Sequence, residues 1–554
     1  MVKQVVSGLK KVLDKVDWKI LIFLILFLNI KLPAKIIAIV LIYLLQFDFK
    51  LGFNLKNSRL PLFYLLIIPI AFLGLIINKN YQHTHYILLF LTGIGFWLLS
   101  ILAIHQVKLM VDKTNTETIH RTIIAFFIIN AIISLANLGY IMWETGSINP
   151  YTFRGLYQAY FINTGDDIKG LTFDISSTNA ALNALGVIYF LVKEKPLMLC
   201  VCMCTLLLTY SNLITLILFA VLLLLFVLKS TRTQKSMIVI CLGLLLIFMV
   251  KISPQNKNYV AQSIQVILHK KNANQIPYIV PAKPIRLTDK PDSLLNPDEK
   301  RQKIALLYLD SVHKGHQPKP LTYFKKIIPV STGGKIMIPT PDTTAEQNNL
   351  SKEIEPDRRL MLGFIGTHPS NLPLSTQQNY APAIPGKLTG MIQTFRFLQQ
   401  HPADAIAGLG IGNFSSKIAF RAVGLGMRGR YPEKYTYINP AFLTNHLDLY
   451  LSYFSKSVAY RSVMNNPFSV YDQLLTEYGL LGLLALLIFY LGFFIKQYKM
   501  LSYGLPMLLF VAGIFFIDYW FEQLSVLVLF ELMLFLDMKE HKTAVENLKP
   551  GHAN

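Results

Sequence analysis

Along this chain, apolar residues gather into long blocks joined by short polar connections, and the pattern breaks at length only between residues 253 and 470. Blocks of 14 to 22 apolar positions have the length a helix needs to cross a hydrocarbon layer, and they lack the scattered 3.6-residue spacing of soluble helices. The pattern predicts twelve crossings, at about 18–31, 34–47, 60–77, 86–105, 122–143, 176–192, 196–210, 212–228, 236–252, 474–495, 503–520 and 522–538. The first two and the seventh are short, so a re-entrant hairpin or a different count fits there as well. The first block carries no small-residue cleavage site and another follows at once, which reads as a retained signal anchor.

Composition agrees: 53% of the 554 residues are hydrophobic and 15% charged. The expected fold is therefore an all-α polytopic membrane protein of about twelve transmembrane helices. One large mixed or irregular loop domain lies between helices 9 and 10. The divisions are a bundle over 1–252, a loop domain over 253–470, three further helices over 471–538 and a tail over 539–554. Lysine and arginine in the short connections set the orientation. With the N-terminus inside, 21 cations fall on the inner side and six on the outer, so both termini are expected in the cytoplasm and the long loop outside. Cys200, Cys202, Cys204 and Cys241 all fall within predicted crossings. Residues two apart on a helix point about 200° apart, so the cysteines read as packing rather than a metal site.

The loop holds 26 Lys and Arg against 13 Asp and Glu. Such an excess fits a solvated basic face, attraction to anionic headgroups, or an anionic substrate. Its first half, to 385, reads as turns and extended segments around a helix near 300–313. In "KLTGMIQTFRFLQQHP" (387–402), Leu388, Met391, Ile392, Phe395, Leu398 and more loosely Phe397 share a face, and His401-Pro402 ends the helix. "AGLGIGNF" (407–414) follows, then "NPAFLTNHLDLYLSYF" (439–454), a second amphipathic helix. The glycine run lacks the βαβ context of a dinucleotide fingerprint, and reads instead as backbone passing close to a helix or ligand.

Taken in order, these pieces resemble the O-antigen ligase and O-antigen polymerase family of bacterial envelope enzymes. The resemblance is carried by Lys387 opening an amphipathic helix, His401-Pro402, the turn from Gly408 to Phe414, and "QLLTEYGLLGLL" from Gln473 to Leu484. It covers 170–228 and 385–495, with the remainder matching in hydropathy. The family's His-Asn pair, nine residues before the glutamate matched by Glu477, reads Phe468-Ser469 here. Its Ser-Arg pair reads Ser211-Asn212.

The resemblance implies metal-independent glycan transfer at the periplasmic face of the bacterial inner membrane, with no nucleotide sugar or other cofactor. The donor would be a glycan on undecaprenyl pyrophosphate. The acceptor would be lipid A-core in a ligase, or another lipid-linked unit in a polymerase. The lipid bilayer is a further expected partner, and nucleic acid is not expected. Alternatives are a transporter, against which the nine-to-three split of the crossings argues, and a non-enzymatic glycan-binding membrane protein.

Such a reaction needs a base at the acceptor hydroxyl and cations around the departing pyrophosphate. His446, in "TNHLDLYL" just before the chain returns to the membrane, is the expected base. Arg421, Arg428 and Arg430 are expected on the phosphates. Lys387 and Arg396 are expected to face the same cavity from one helix, and Asn413 to line it. Asp472 suits the positive start of the incoming helix. Glu477, a turn deeper, is expected to order the catalytic mouth by pairing with a loop cation. "KGLTFDISSTNAALNALG" (169–186) is a second polar approach to the same region. Asp518, Glu522 and Glu531 are buried-carboxylate candidates without an assigned role.

Overall fold

The computed structural model describes residues 16–54, 58–152, 164–228, 230–253, 386–422, 437, 439, 441–442 and 468–547. Those residues are mostly helical, with no strand among them. The expected helices near 300–313 and over 443–454, with most of the loop domain, lie outside the described residues.

Every apolar block becomes a helix. In order these are α1 Trp18–Phe27, α2 Leu32–Leu45, α3 Phe63–Ile77, α4 Thr84–Lys113, α5 Thr116–Thr145, α6 Ser176–Val192, α7 Pro196–Leu208, α8 Asn212–Leu228 and α9 Arg232–Ile247. After the undescribed stretch come α10 Gly386–Gln400, α11 Pro402–Ala407, α12 Lys417–Ala422 and α13 Val470–Glu477. α14 Gly479–Ala485 runs through a π-helical turn, Leu486–Leu491, into α15 Gly492–Ile495. The chain then forms α16 Gly504–Ile514, α17 Trp520–Gln523 and α18 Ser525–Asn547. Among the described residues, three helices are long and apolar enough to cross a membrane: α4, α5, and α9 with its π-helical extension to Ile252. The other apolar helices are shorter, at 10–17 residues.

Two helices form the centre. α6 is buried from Ser176 to Leu191, and α18 from Ser525 to Asp537, so each is enclosed on all sides, as a helix apolar around its circumference must be. Around them, Phe63, Trp97, Tyr490 and Phe521 pack ring to ring, and the Trp97 indole donates to the Tyr478 hydroxyl at 2.7 Å. Three asparagines, Asn130 and Asn179 buried and Asn137 half-buried, tie down the polar stretch before α6. Asn130 accepts from Leu171 N and Asn137 from Gly170 N, while Asn179 donates to Ser134 and to Ile168 O.

Contacts between helix ends show that successive helices run in opposite directions. At one end, Lys539 Nζ donates to the carbonyls of Val111, Asp112 and Thr114. There Glu540 also takes Lys193 and Tyr503. At the other, Ile30 N meets Thr172 O, Asn78 meets Gly408 O, and Val470 N meets Phe515 O. The two ends of the undescribed loop lie at this second end. Ile252 O accepts from Asn149, and Lys387 reaches Phe468 and Ile517.

α10 buries Phe397 and Leu398, together with Lys387, Gln393 and Thr394, while Leu388 and Phe395 are exposed. The side toward the bundle therefore overlaps the apolar stripe read in the sequence only at Phe397 and Leu398 and is centred about a third of a turn from it. The buried amine of Lys387 dictates that rotation.

Candidate functional site

The glycine turn and the start of α14 interlock. Gly408, Gly410, Gly412 and Gly479 all have left-handed φ, at 74°, 94°, 73° and 68°. At Gly408 and Gly479 a side chain is also excluded by space. A Cβ on Gly408 would sit 2.5 Å from the backbone of Glu477, Tyr478 and Gly479, and one on Gly479 would strike the carbonyl of Ile406. Leu409 N and Gly410 N donate to Thr476 O and Glu477 O, each at 2.9 Å. Ile411 wedges against Gly93 of α4.

The Glu477 carboxylate closes this lock. It is fully buried and gathers four backbone amides: Gly412 N at 2.7 Å on Oε2, and Phe414, Ser415 and Ser416 N at 3.1, 3.1 and 3.0 Å on Oε1. Glu477 thus ties the glycine turn to the start of α14; a loop cation was expected as its partner, and among the described residues its partners are main-chain N–H groups. The left-handed glycines turn successive amides toward one point, a concave anion-binding arrangement of backbone. Asn413 belongs to the same turn, donating to Leu409 O at 2.7 Å, and so braces the loop.

Lys387 and Arg396 do not share a cavity. Nine residues along a helix amount to about half a revolution, so Lys387 is buried and Arg396 exposed. Lys387 Nζ donates to Phe468 O and Ile517 O, both at 2.6 Å. Burial pulls its pKa down to about 7 and pushes that of the buried Asp472 up to about 7, with the Lys387 charge opposing the latter shift. Asp472 is in the first turn of α13, as expected, beside the Thr394 side chain.

The described cationic site is instead a cavity of about 180 Å³ lined by Leu32, Lys35, Phe96, Lys417, Arg421 and Glu522, with Ile30, Thr92, Ile418 and Gln523 completing the wall. α12 supplies two of the cations. Lys417 makes a two-point ion pair with Asp518, at 2.9 and 3.0 Å. Arg421, one turn on, makes no hydrogen bond or ion pair among the described residues. The third cation, Lys35, is buried in α2 and donates to Phe27 O at 2.6 Å and Ser525 Oγ at 3.2 Å. Glu522 accepts from Gln473 Nε2 at 2.5 Å. The Oε1 atom of Gln523, beside it, is buried without a donor among the described residues. Asp174, from the polar approach to α6, lies close enough for its charge to act on Lys35 and Lys417.

This arrangement can hold an anion against Arg421 and Lys417 while Glu522 accepts a proton from a hydroxyl. Of the residues expected from the sequence, Arg421 lines this cavity and Glu477 fixes the turn from which α12 springs. His446, Arg428 and Arg430 lie outside the described residues. Sequence reasoning missed Lys35 and Lys417, and gave Glu522 no role. The available signal was the isolation of Lys35 within an apolar run, where an ionisable group usually faces a protein cavity. Comparison with family models, curated proteins and solved structures returns no match.

Proposed function

We propose that this protein is a membrane glycosyltransferase that transfers a glycan from undecaprenyl pyrophosphate to an acceptor hydroxyl, in the manner of an O-antigen ligase. In this reading twelve helices cross the bacterial inner membrane, both termini are cytoplasmic, and the 253–470 region caps the periplasmic side. The observation that carries the reading is the cavity lined by Arg421, Lys417, Lys35 and Glu522, beside the glycine turn fixed by Glu477. Carrier phosphates call for cations in a partly apolar setting, and arginine bonds phosphate oxygens in pairs.

In the reaction the acceptor oxygen bonds to the anomeric carbon while the bond from that carbon to the pyrophosphate oxygen breaks. The electron pair leaves with the pyrophosphate, whose charge Arg421 and Lys417 offset. The acceptor proton passes to Glu522, the carboxylate that the cavity offers; removing such a base costs about 10²–10⁴ in rate.

The test is gel profiling of envelope glycan in a deletion strain complemented with Arg421→Ala, Glu522→Gln or His446→Ala, each at parental expression. Loss of attachment, with polymer held on carrier lipid, is expected for Arg421→Ala and Glu522→Gln. Single repeats capped on core would make the enzyme a polymerase. A parental glycan pattern in both the Arg421 and Glu522 variants would overturn the reading. Loss in His446→Ala with Glu522→Gln active would move the base to the histidine.

A further inference from the structure

The apolar stripe that α10 turns away from the protein continues onto α11. Leu388, Phe395 and Ile406 are 44%, 56% and 60% exposed, and Met391 and Ile392 are half-buried beside them. At 100° per residue, Leu388, Ile392 and Phe395 fall within roughly 60° of one another, with Gln399 among them. Arg396 and Gln400, both exposed, lie further round, about 80–120° from Leu388. The outer surface of α10 is thus divided lengthwise into an apolar edge and a polar edge, while its third side is buried against the bundle.

The position of α11 identifies what the apolar edge meets. Its Ile406 carbonyl abuts Gly479, the first residue of the apolar run Gly479–Ile495. The Ala407 carbonyl is 3.4 Å from where a Cβ on Gly74 would sit, inside apolar α3. Ile411, just beyond, reaches Gly93, nine residues and therefore about 13 Å along membrane-length α4. At this level the neighbouring helices present exposed Leu73, Ile76 and Ile77 from α3, and Leu480 and Leu481 from α14. Ile406 continues that surface.

We infer that α10 and α11 form an interfacial membrane element, with Leu388, Phe395 and Ile406 immersed in the lipid at the headgroup–acyl boundary and Arg396 and Gln400 facing water. A helix with one apolar and one polar edge lies in the plane of that boundary, and Arg396 can extend its charged head outward from it. The occupant of the stripe is lipid, because the stripe is continuous with the exposed apolar surface of α3 and α14, and Ile411 beside it seats against membrane-length α4. The consequence reaches the cavity. α12 is joined to α11 by the locked glycine turn, so the depth at which the element rides fixes the height of Lys417 and Arg421. This inference is independent of the chemistry proposed for the cavity and depends only on the helices lying in a membrane.

Spin labels test it on the full chain in lipid nanodiscs, with the four native cysteines replaced by alanine. Labels at Phe395→Cys, Ile406→Cys and Gln400→Cys are read by collision with oxygen, which concentrates in lipid, and with a water-soluble nickel chelate. Phe395→Cys and Ile406→Cys are expected to relax more with oxygen than with nickel, and Gln400→Cys the reverse. Nickel dominance at both apolar positions would overturn the inference, placing the stripe in water. Poor access to both reagents there would also overturn it, placing the stripe under protein. In the second case the spin–spin broadening of a doubly occupied interface would identify a second copy as the cover. A variant that fails to assemble is replaced by Leu388→Cys, for which the same oxygen-dominant result is required.

Discussion

Four amides on one carboxylate make Glu477 the residue on which the mouth of the bundle depends. Glutamine keeps its size but presents an NH₂ group to backbone donors, so at least one amide–acceptor contact is lost and two donors face one another. Leaving a buried group unsatisfied costs on the order of 1–3 kcal/mol. Glu477→Gln should therefore lower the thermal unfolding midpoint in detergent, and a parental midpoint would show that the amide cradle contributes little. Glycines give a sharper contrast. Alanine at Gly408 or Gly479 combines a left-handed backbone with a collision against main chain, and neither variant should yield folded protein by size-exclusion chromatography. Gly139 and Gly243, in α5 and α9, have open space where a Cβ would go. Alanine there should be neutral or stabilise by about 0.5–1 kcal/mol through helix propensity.

At the scale of elements, the sequence makes some features legible and hides others for definable reasons. The apolar blocks correspond to helices throughout, and Pro402 starts α11 where His401-Pro402 was expected to end α10. The depth of Glu477 marked it as a group needing a partner. The partner itself was hidden, because main-chain amides have no letter in a sequence, and their aim depends on the dihedral angles of three glycines. The rotation of α10 was hidden for a related reason: hydrophobic periodicity gives the apolar side but not the neighbour that takes it. Lys387 decides the matter by giving its amine to two carbonyls. Lys387→Met should orphan Phe468 O and Ile517 O and strip Asp472 of its nearest buried cation, so that α10 amides exchange hydrogen faster. Adding Asp472→Asn removes the uncompensated carboxylate, and the double variant should recover part of the protection. If the two losses simply add, Lys387 and Asp472 are not coupled.

At the scale of the whole molecule, the cavity joins residues that the chain separates widely: Lys35 from the second helix, Lys417 and Arg421 after the long loop, and Glu522 near the end. No local pattern announces such a convergence. It arises because alternating helices return α1–α2, the glycine turn and α17 to the same end of the bundle. Sidedness then becomes a decisive physical question, since a cavity that hands on a lipid-linked glycan must open where that glycan is displayed. In the proposed orientation the cation-rich short connections at the opposite end lie in the cytoplasm, and the cavity and both edges of the 254–385 stretch lie outside. A tag inserted after Lys335, in that stretch, should be labelled by an impermeant reagent on spheroplasts, and one after Asn554 only after permeabilisation. Labelling of the first tag solely in permeabilised cells would turn the cavity toward the cytosol. Arg421, Lys417 and Glu522 would then face nucleotide-charged rather than carrier-displayed substrates, and the proposed transfer would fail with them.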